Sequence, residues 1–126
     1  MARTVDLAAI GIDAEPDQDL PAGLSEAVAT APELAWIRRR VVTAPAVRWE
    51  RLVFSARESA AKAWYPLSGR WPERGELAVS AGTAGTLTVR LPAAGPGLPA
   101  AMTGRWLARD GLILTAVAVP AYPLGS

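Results

Sequence analysis

The chain has 126 residues, of which thirteen are basic and twelve acidic, and it contains neither cysteine nor histidine. One domain fits that length, and a formal charge of +1 gives no summed field for nucleic acid or an anionic membrane. Without cysteine there are no disulfides, thiolate metal sites or thiol nucleophile; without histidine the commonest general base and zinc ligand are gone, leaving carboxylates, lysine, hydroxyls and a hard cation to do any chemistry.

Near the amino terminus, residues 4–13 read as a strand, with Val5, Leu7 and Ile10 apolar and Gly11 near its end, and Pro16 is expected to force the chain out. Asp6 interrupts any signal-peptide core, so the reading is cytoplasmic. Residues 17–23 form a polar turn. Ser25 is a candidate cap for a helical stretch that Pro32 splits in two, with Arg38, Arg39 and Arg40 expected in the last turn, where cations suit the helix dipole. The strongest helix signal covers residues 46–67, bounded by Pro45 and Ser68-Gly69. Trp49, Val53, Ala56, Ala60, Trp64 and Leu67 make one apolar stripe, and Phe54, Glu58, Lys62 and Tyr65 a neighbouring one.

After Trp71-Pro72 the period changes to short alternating runs at 76–80, 85–91, 104–108 and 111–119, which read as strands. The last apolar run is far short of the ~20 residues that span a bilayer. Arg109-Asp110-Gly111 is a tight hairpin signal, and residues 92–99 read as a loop within the sheet. The expected fold is a single α+β domain over residues 1–126, a mainly antiparallel sheet of three or more strands against the long helix. Its Val-rich final hairpin is expected at an edge left open for a partner.

Two segments carry candidate chemistry. Alternation puts Asp13 and Glu15 on one strand face, where neighbouring carboxylates repel and either raise a pKa or recruit a cation. If Glu58 joins them, three oxygen donors suit magnesium, which takes a few carboxylates together with water and substrate phosphate. Taken singly, each signal is weak. An Asp-x-Glu before proline is more often solvated turn chemistry, and Glu58 with Lys62, one turn apart and pointing the same way, most often forms a surface salt bridge worth a few tenths of a kcal/mol. Lys62 is the only lysine in the chain.

Together, and in this order, the segments resemble a known family. Gly11-Ile12-Asp13-Ala14-Glu15 resembles the G-[IV]-D-x-E motif of 4′-phosphopantetheinyl transferases, and the run from Phe54 to Ala63 resembles their F-[ST]-x-K-E-[AS]-x-x-K-A motif. The Trp64-Tyr65-Pro66-Leu67 extension, Gly104-Arg105-Trp106, Asp110-Gly111-Leu112 and Thr115-Ala116 resemble the enterobactin/surfactin-type branch, whose members are pseudo-dimers of two similar halves with coenzyme A and magnesium between them. The likeness is to the carboxyl-terminal half.

The resemblance implies an enzyme that transfers the 4′-phosphopantetheine of coenzyme A, its co-substrate, to a serine of an acyl, peptidyl or polyketide carrier protein. Asp13, Glu15 and Glu58 match the magnesium-binding acids. Lys62 matches the lysine that neutralises the phosphate under attack, and Glu58 is the candidate base. Arg57 stands where the family usually has lysine. Trp64, Trp71 and Trp106 are expected in the core, and the Arg38–Arg40 run as a solvated helix end or a contact for an acidic carrier. The resemblance leaves the first half of the pseudo-dimer, with its histidine and basic coenzyme contacts, unmatched by these residues and expected from elsewhere. That leaves a weakly active or inactive remnant binding magnesium or a carrier, a homo-oligomer, or a chain that pairs with a separate first half. No nucleic acid or membrane partner is expected.

Overall fold

The computed structural model describes residues 7–91 and 99–120. Strand β1 (Leu7–Pro16) is followed by a short helix α1 (Ser25–Val28), helix α2 (Ala31–Thr43), the long helix α3 (Trp49–Ser68) and a single 3-10 turn (Arg74–Glu76). Four further strands close the fold: β2 (Ala78–Ala81), β3 (Thr86–Arg90), β4 (Ala101–Arg109) and β5 (Leu112–Pro120). The expected α+β architecture is present, with five antiparallel strands in the order β1-β5-β4-β3-β2 packed on α3. Residues 4–6 of the predicted first strand and 92–98 of the predicted loop lie outside the described residues.

The final hairpin is not the edge. β5 lies between β1 and β4, because the first strand returns to pair along its whole length, and the edges are β1 and β2. The turn itself is as the Asp-Gly signal predicts: Asp110 and Gly111 adopt φ values of 54° and 79° between the paired Arg109 and Leu112. Pro16 does not expel the chain but sits at the end of an edge strand, where its missing N–H leaves no ladder bond unmade.

Helix α3 begins at Trp49, three residues later than its apolar pattern suggests, and ends at Gly69, whose left-handed φ of 81° lets its N–H cap the Tyr65 carbonyl at 2.8 Å. The predicted stripe is the buried one: Trp49, Val53, Ala56, Ala60 and Trp64 are all in the core, with Leu67 at its margin. Upstream, Ser25 is not the cap. It opens α1 and donates to Glu50 Oε1 at 2.7 Å, while Thr30 caps α2 in a reciprocal box with Glu33, Pro32 sitting in the first turn. Helix α2 runs on to Thr43, so only Arg40 of the three arginines is in its last turn.

Trp36, Trp49 and Trp106 meet edge to face, with ring centroids 6.1 and 5.6 Å apart, and Arg40 lies 5.7 Å over the Trp49 ring while donating to the Ala81 carbonyl at 3.1 Å. Arg40 is therefore a packing group, not part of a solvated helix end. Trp64 and Trp106 are buried as expected, whereas Trp71 is half exposed and stacks loosely on Tyr65 at 6.3 Å. It follows the helix C-cap, where no element lies over it to complete a core environment.

Candidate functional site

The site forms where β1 lies against α3, and two features bring these elements unusually close. A Cβ on Gly11 would fall 1.8 Å from the Ser59 carbonyl oxygen, so only glycine permits the strand backbone to rest on the helix there. Between α3 and the neighbouring strand β5, the buried hydroxyls of Ser55 and Ser59 on the helix and Thr115 on the strand form a latch: Thr115 Oγ1 lies 2.8 Å from Ser55 Oγ and 2.5 Å from Ser59 Oγ, and also donates to the Ser55 carbonyl at 3.1 Å. A fully satisfied buried polar network of this kind fixes the helix register against the sheet.

That register places Asp13, two residues beyond Gly11, facing α3. Its side chain is buried, and Oδ1 accepts from Lys62 Nζ at 3.0 Å, while the same ammonium donates to the Ile12 carbonyl at 3.1 Å. Lys62 is half exposed, at 46%. The ion pair therefore runs from helix to strand; the one-turn Glu58–Lys62 salt bridge is not formed, because the strand offers Lys62 both a carboxylate and a carbonyl. Asp13 Oδ2 is buried with no hydrogen-bond partner among the described residues.

Glu15 lies on the same face, 3.5 Å from Arg51 Nη1. Its carboxyl is pushed up to about 7, first by burial, then by the hydrogen bond it makes to Asp13 when protonated and by the Asp13 charge; the Arg51 guanidinium opposes the shift and the Glu58 charge adds to it. Between them Asp13 and Glu15 hold too much negative charge for their degree of burial. A proton on Glu15 would meet the orphaned Asp13 Oδ2, and so would a cation held between the two carboxylates.

Glu58 makes no hydrogen bond or ion pair among the described residues. It stands at a cleft of about 150 Å³ bordered by Phe54, Ala61, Trp71 and Pro72. Its charge reaches Glu15, but no three carboxylates among the described residues converge into a ready metal cage. The donor set fits a hard cation that takes two carboxylates and completes its shell with water and phosphate better than it fits one needing an all-protein cage.

Arg57 belongs to a different structure. It is buried, pairs with Glu33, and donates to the Arg74 carbonyl at 2.6 Å and the Leu77 carbonyl at 3.1 Å. Glu33, in turn, accepts from the backbone N–H groups of Thr30 at 2.9 Å and Val79 at 2.6 Å. Arg57 thus points away from the acids, and its fork of donors explains why arginine suits a position where a lysine could not reach both carbonyls and the carboxylate. Sequence reasoning overlooked Glu33, although Thr30-x-x-Glu33 is a capping-box pattern that would have marked it.

The sequence matches the model of the 4′-phosphopantetheinyl transferase superfamily over residues 9–111. It is 44% identical to the 4′-phosphopantetheinyl transferase Svp of Streptomyces mobaraensis over 100% of this chain and 53% of that one. It is 37% identical to the transferase Npt of Nocardia iowensis, covering 94% of this chain and 58% of the relative. It is 35% identical to the transferase PptT of Mycobacterium tuberculosis, covering 86% and 51%. The chain spans about half the length of these curated relatives. With the matched region containing Asp13, Glu15, Glu58 and Lys62 on the β1–α3 seam, the chain belongs to the 4′-phosphopantetheinyl transferase superfamily.

Proposed function

We propose that this chain is the metal-and-phosphate half of an enzyme that transfers the 4′-phosphopantetheine group of coenzyme A to a carrier-protein serine. The observation carrying that reading is Asp13, whose buried carboxylate has one oxygen on Lys62 and the other without a donor, beside a second carboxyl whose ionisation is opposed. The transferase names of three relatives support the same activity.

Asp13 and Glu15 are the donors the geometry supports for magnesium, and Glu58 is the third acid that the family motif adds. Bound there, the metal would supply Lewis-acid neutralisation of pyrophosphate charge. Lys62, already exposed and anchored by its Asp13 and Ile12 contacts, directs an ammonium at a phosphate oxygen. Glu58, with no partner to displace among the described residues, accepts the proton of the carrier serine as the serine oxygen attacks the phosphorus bearing pantetheine. The bond from that phosphorus to the adenosine-side oxygen breaks, and adenosine 3′,5′-bisphosphate leaves with the electron pair.

The intact mass of an apo-carrier protein incubated with the chain, coenzyme A and magnesium tests the reading, since transfer adds one phosphopantetheine. Asp13→Ala and Glu58→Gln both abolish that addition; transfer that survives Asp13→Ala removes the metal role.

One observation favours the second reading, that the chain needs a partner half. Ile10, Ile12, Leu107 and Leu112 are 53%, 59%, 46% and 42% exposed, and alternation puts all four on the sheet face turned away from α3. An apolar face of that kind on a small domain marks an interaction surface. The occupant on this reading is a separate first half or a second copy of the chain. Light scattering during gel filtration, with and without the remaining segment of the Streptomyces mobaraensis relative, tests it: turnover that appears only with added segment or only in an oligomer supports the partner, and full turnover by a monomer removes it.

A further inference from the structure

Arg51 reaches three groups from the first turn of α3: Nε donates to the Gln18 carbonyl at 3.0 Å, Nη2 donates to the Asp19 carbonyl at 3.1 Å, and Nη1 stands 3.5 Å from Glu15 Oε1. The two carbonyls belong to the turn that follows β1, and that turn is tied down without Arg51. Asp17 N–H donates to the Gly111 carbonyl at 2.9 Å, Gln18 N–H to the Pro16 carbonyl at 2.8 Å, and Arg48 pairs with Asp17 and Asp19 at 3.5 and 3.3 Å. Closing the turn therefore does not account for a third donor aimed at the acid pair. A carboxylate on the long glutamate stem, set beside Asp13, gains by swinging into water, where their repulsion is screened. Glu15 does not swing out: its side chain is 17% exposed and that of Arg51 13%. The guanidinium supplies the opposing attraction from a seat that backbone carbonyls fix, which its branched donors allow and a single ammonium does not.

We propose that Arg51 is a positioning residue of the acid site, holding the Glu15 carboxyl beside Asp13 so that the two present their oxygens together to one cation. The assignment deepens the magnesium reading of Asp13 and Glu15 above and rests on it. Arg51 acts through Glu15 and not by contact with the metal, and groups that orient a metal-binding side chain in this way change metal affinity by about 10- to 100-fold when removed. Its charge taken alone predicts the opposite, since deleting a cation near the acids draws a metal ion in more tightly. The sign of the effect therefore separates positioning from bare charge.

Manganese(II), a paramagnetic probe of magnesium-type oxygen sites, tests the inference when it is titrated alone into the chain and the free ion is followed by electron paramagnetic resonance. Thermal melts set a titration temperature at which every variant is folded. Arg51→Met weakens binding about tenfold. Arg51→Lys keeps the charge and the apolar stem but cannot hold both carbonyls and reach Glu15, so it weakens binding about as much, and it answers for a methionine variant that folds poorly. Arg48→Met breaks the solvent-exposed pairs of the same turn and leaves the affinity unchanged. Unchanged or tighter binding by either Arg51 variant, or an equal loss in Arg48→Met, overturns the positioning role while the acid site stands. Absence of binding by the unaltered chain, or binding that survives Asp13→Ala unchanged, overturns the acid site and the positioning role together.

Discussion

The two edges of the sheet are finished in opposite ways. Along β2, four side chains stand in for a missing strand: Arg57 takes the Leu77 carbonyl, Glu33 the Val79 N–H, Trp36 Nε1 the Val79 carbonyl at 3.1 Å, and Arg40 the Ala81 carbonyl. Residues 77, 79 and 81 alternate, so these are the groups that point away from β3. Along β1 the one side-chain contact of this kind among the described residues is Lys62 on the Ile12 carbonyl, and that ammonium is half exposed. An edge strand is a template for unwanted pairing unless something blunts it. Here the sealed edge bears none of the proposed site residues, and the open one presents Asp13 and Glu15, with Lys62 reaching them from α3. A functional group has to stay reachable, so the strand that presents it cannot be sealed in the same way.

The contrast can be broken first at its most buried point. Glu33→Ala removes the partner of Arg57 and the acceptor of two backbone N–H groups, leaving a buried charge and a bare strand edge; we expect a loss of about 3–5 kcal/mol in chemical denaturation. Arg57→Lys keeps the charge but cannot span the carboxylate and both carbonyls, so a loss of about 1–3 kcal/mol is expected by the same measurement, with no gain at the acid site.

At the open edge one charge removal is expected to stabilise the fold. The Glu15 carboxyl titrates at about 7 in the fold against 4.5 for its ordinary value. Between those pH values the folded chain binds more protons than the unfolded one, so stability falls as pH rises through the window. Glu15→Gln therefore stabilises the metal-free protein by about 1–2 kcal/mol above pH 7, after allowing for solvent screening, and does nothing below pH 4.5; melts across that range decide it. Lys62→Met takes away an ammonium that is itself half exposed but leaves the buried Asp13 carboxylate unpaired, so a loss of about 1–3 kcal/mol is expected in the same melts, and on the proposed function phosphopantetheine transfer is abolished. A larger stability loss from that substitution would mean that β1 is sealed after all.

Much of this was legible beforehand because it depends on local pattern. The α3 stripe, the Asp110-Gly111 turn and the common face of Asp13 and Glu15 each follow from periodicity or backbone geometry, and the two motifs were enough to find the family. Errors fell where a partner distant in sequence decided the outcome. Ser25 was expected to cap its own helix but reaches Glu50, twenty-five residues on. Lys62 was set against its helix neighbour Glu58 and instead meets Asp13, forty-nine residues back. Arg57, which stands where the family usually has lysine, is a strut of the β2 edge.

By itself the sequence determined which residue types could act, because a chain without histidine or cysteine leaves oxygen donors and one lysine, and it determined the helix and strand on which they lie. The tertiary structure decided their state. Strand order made β1 an edge, the close approach at Gly11 buried Asp13, and that burial, with Glu15 alongside, left a carboxylate oxygen without a partner. Burial and charge crowding are properties of residues brought together from positions far apart, and no local spacing specifies how much water is excluded when they meet.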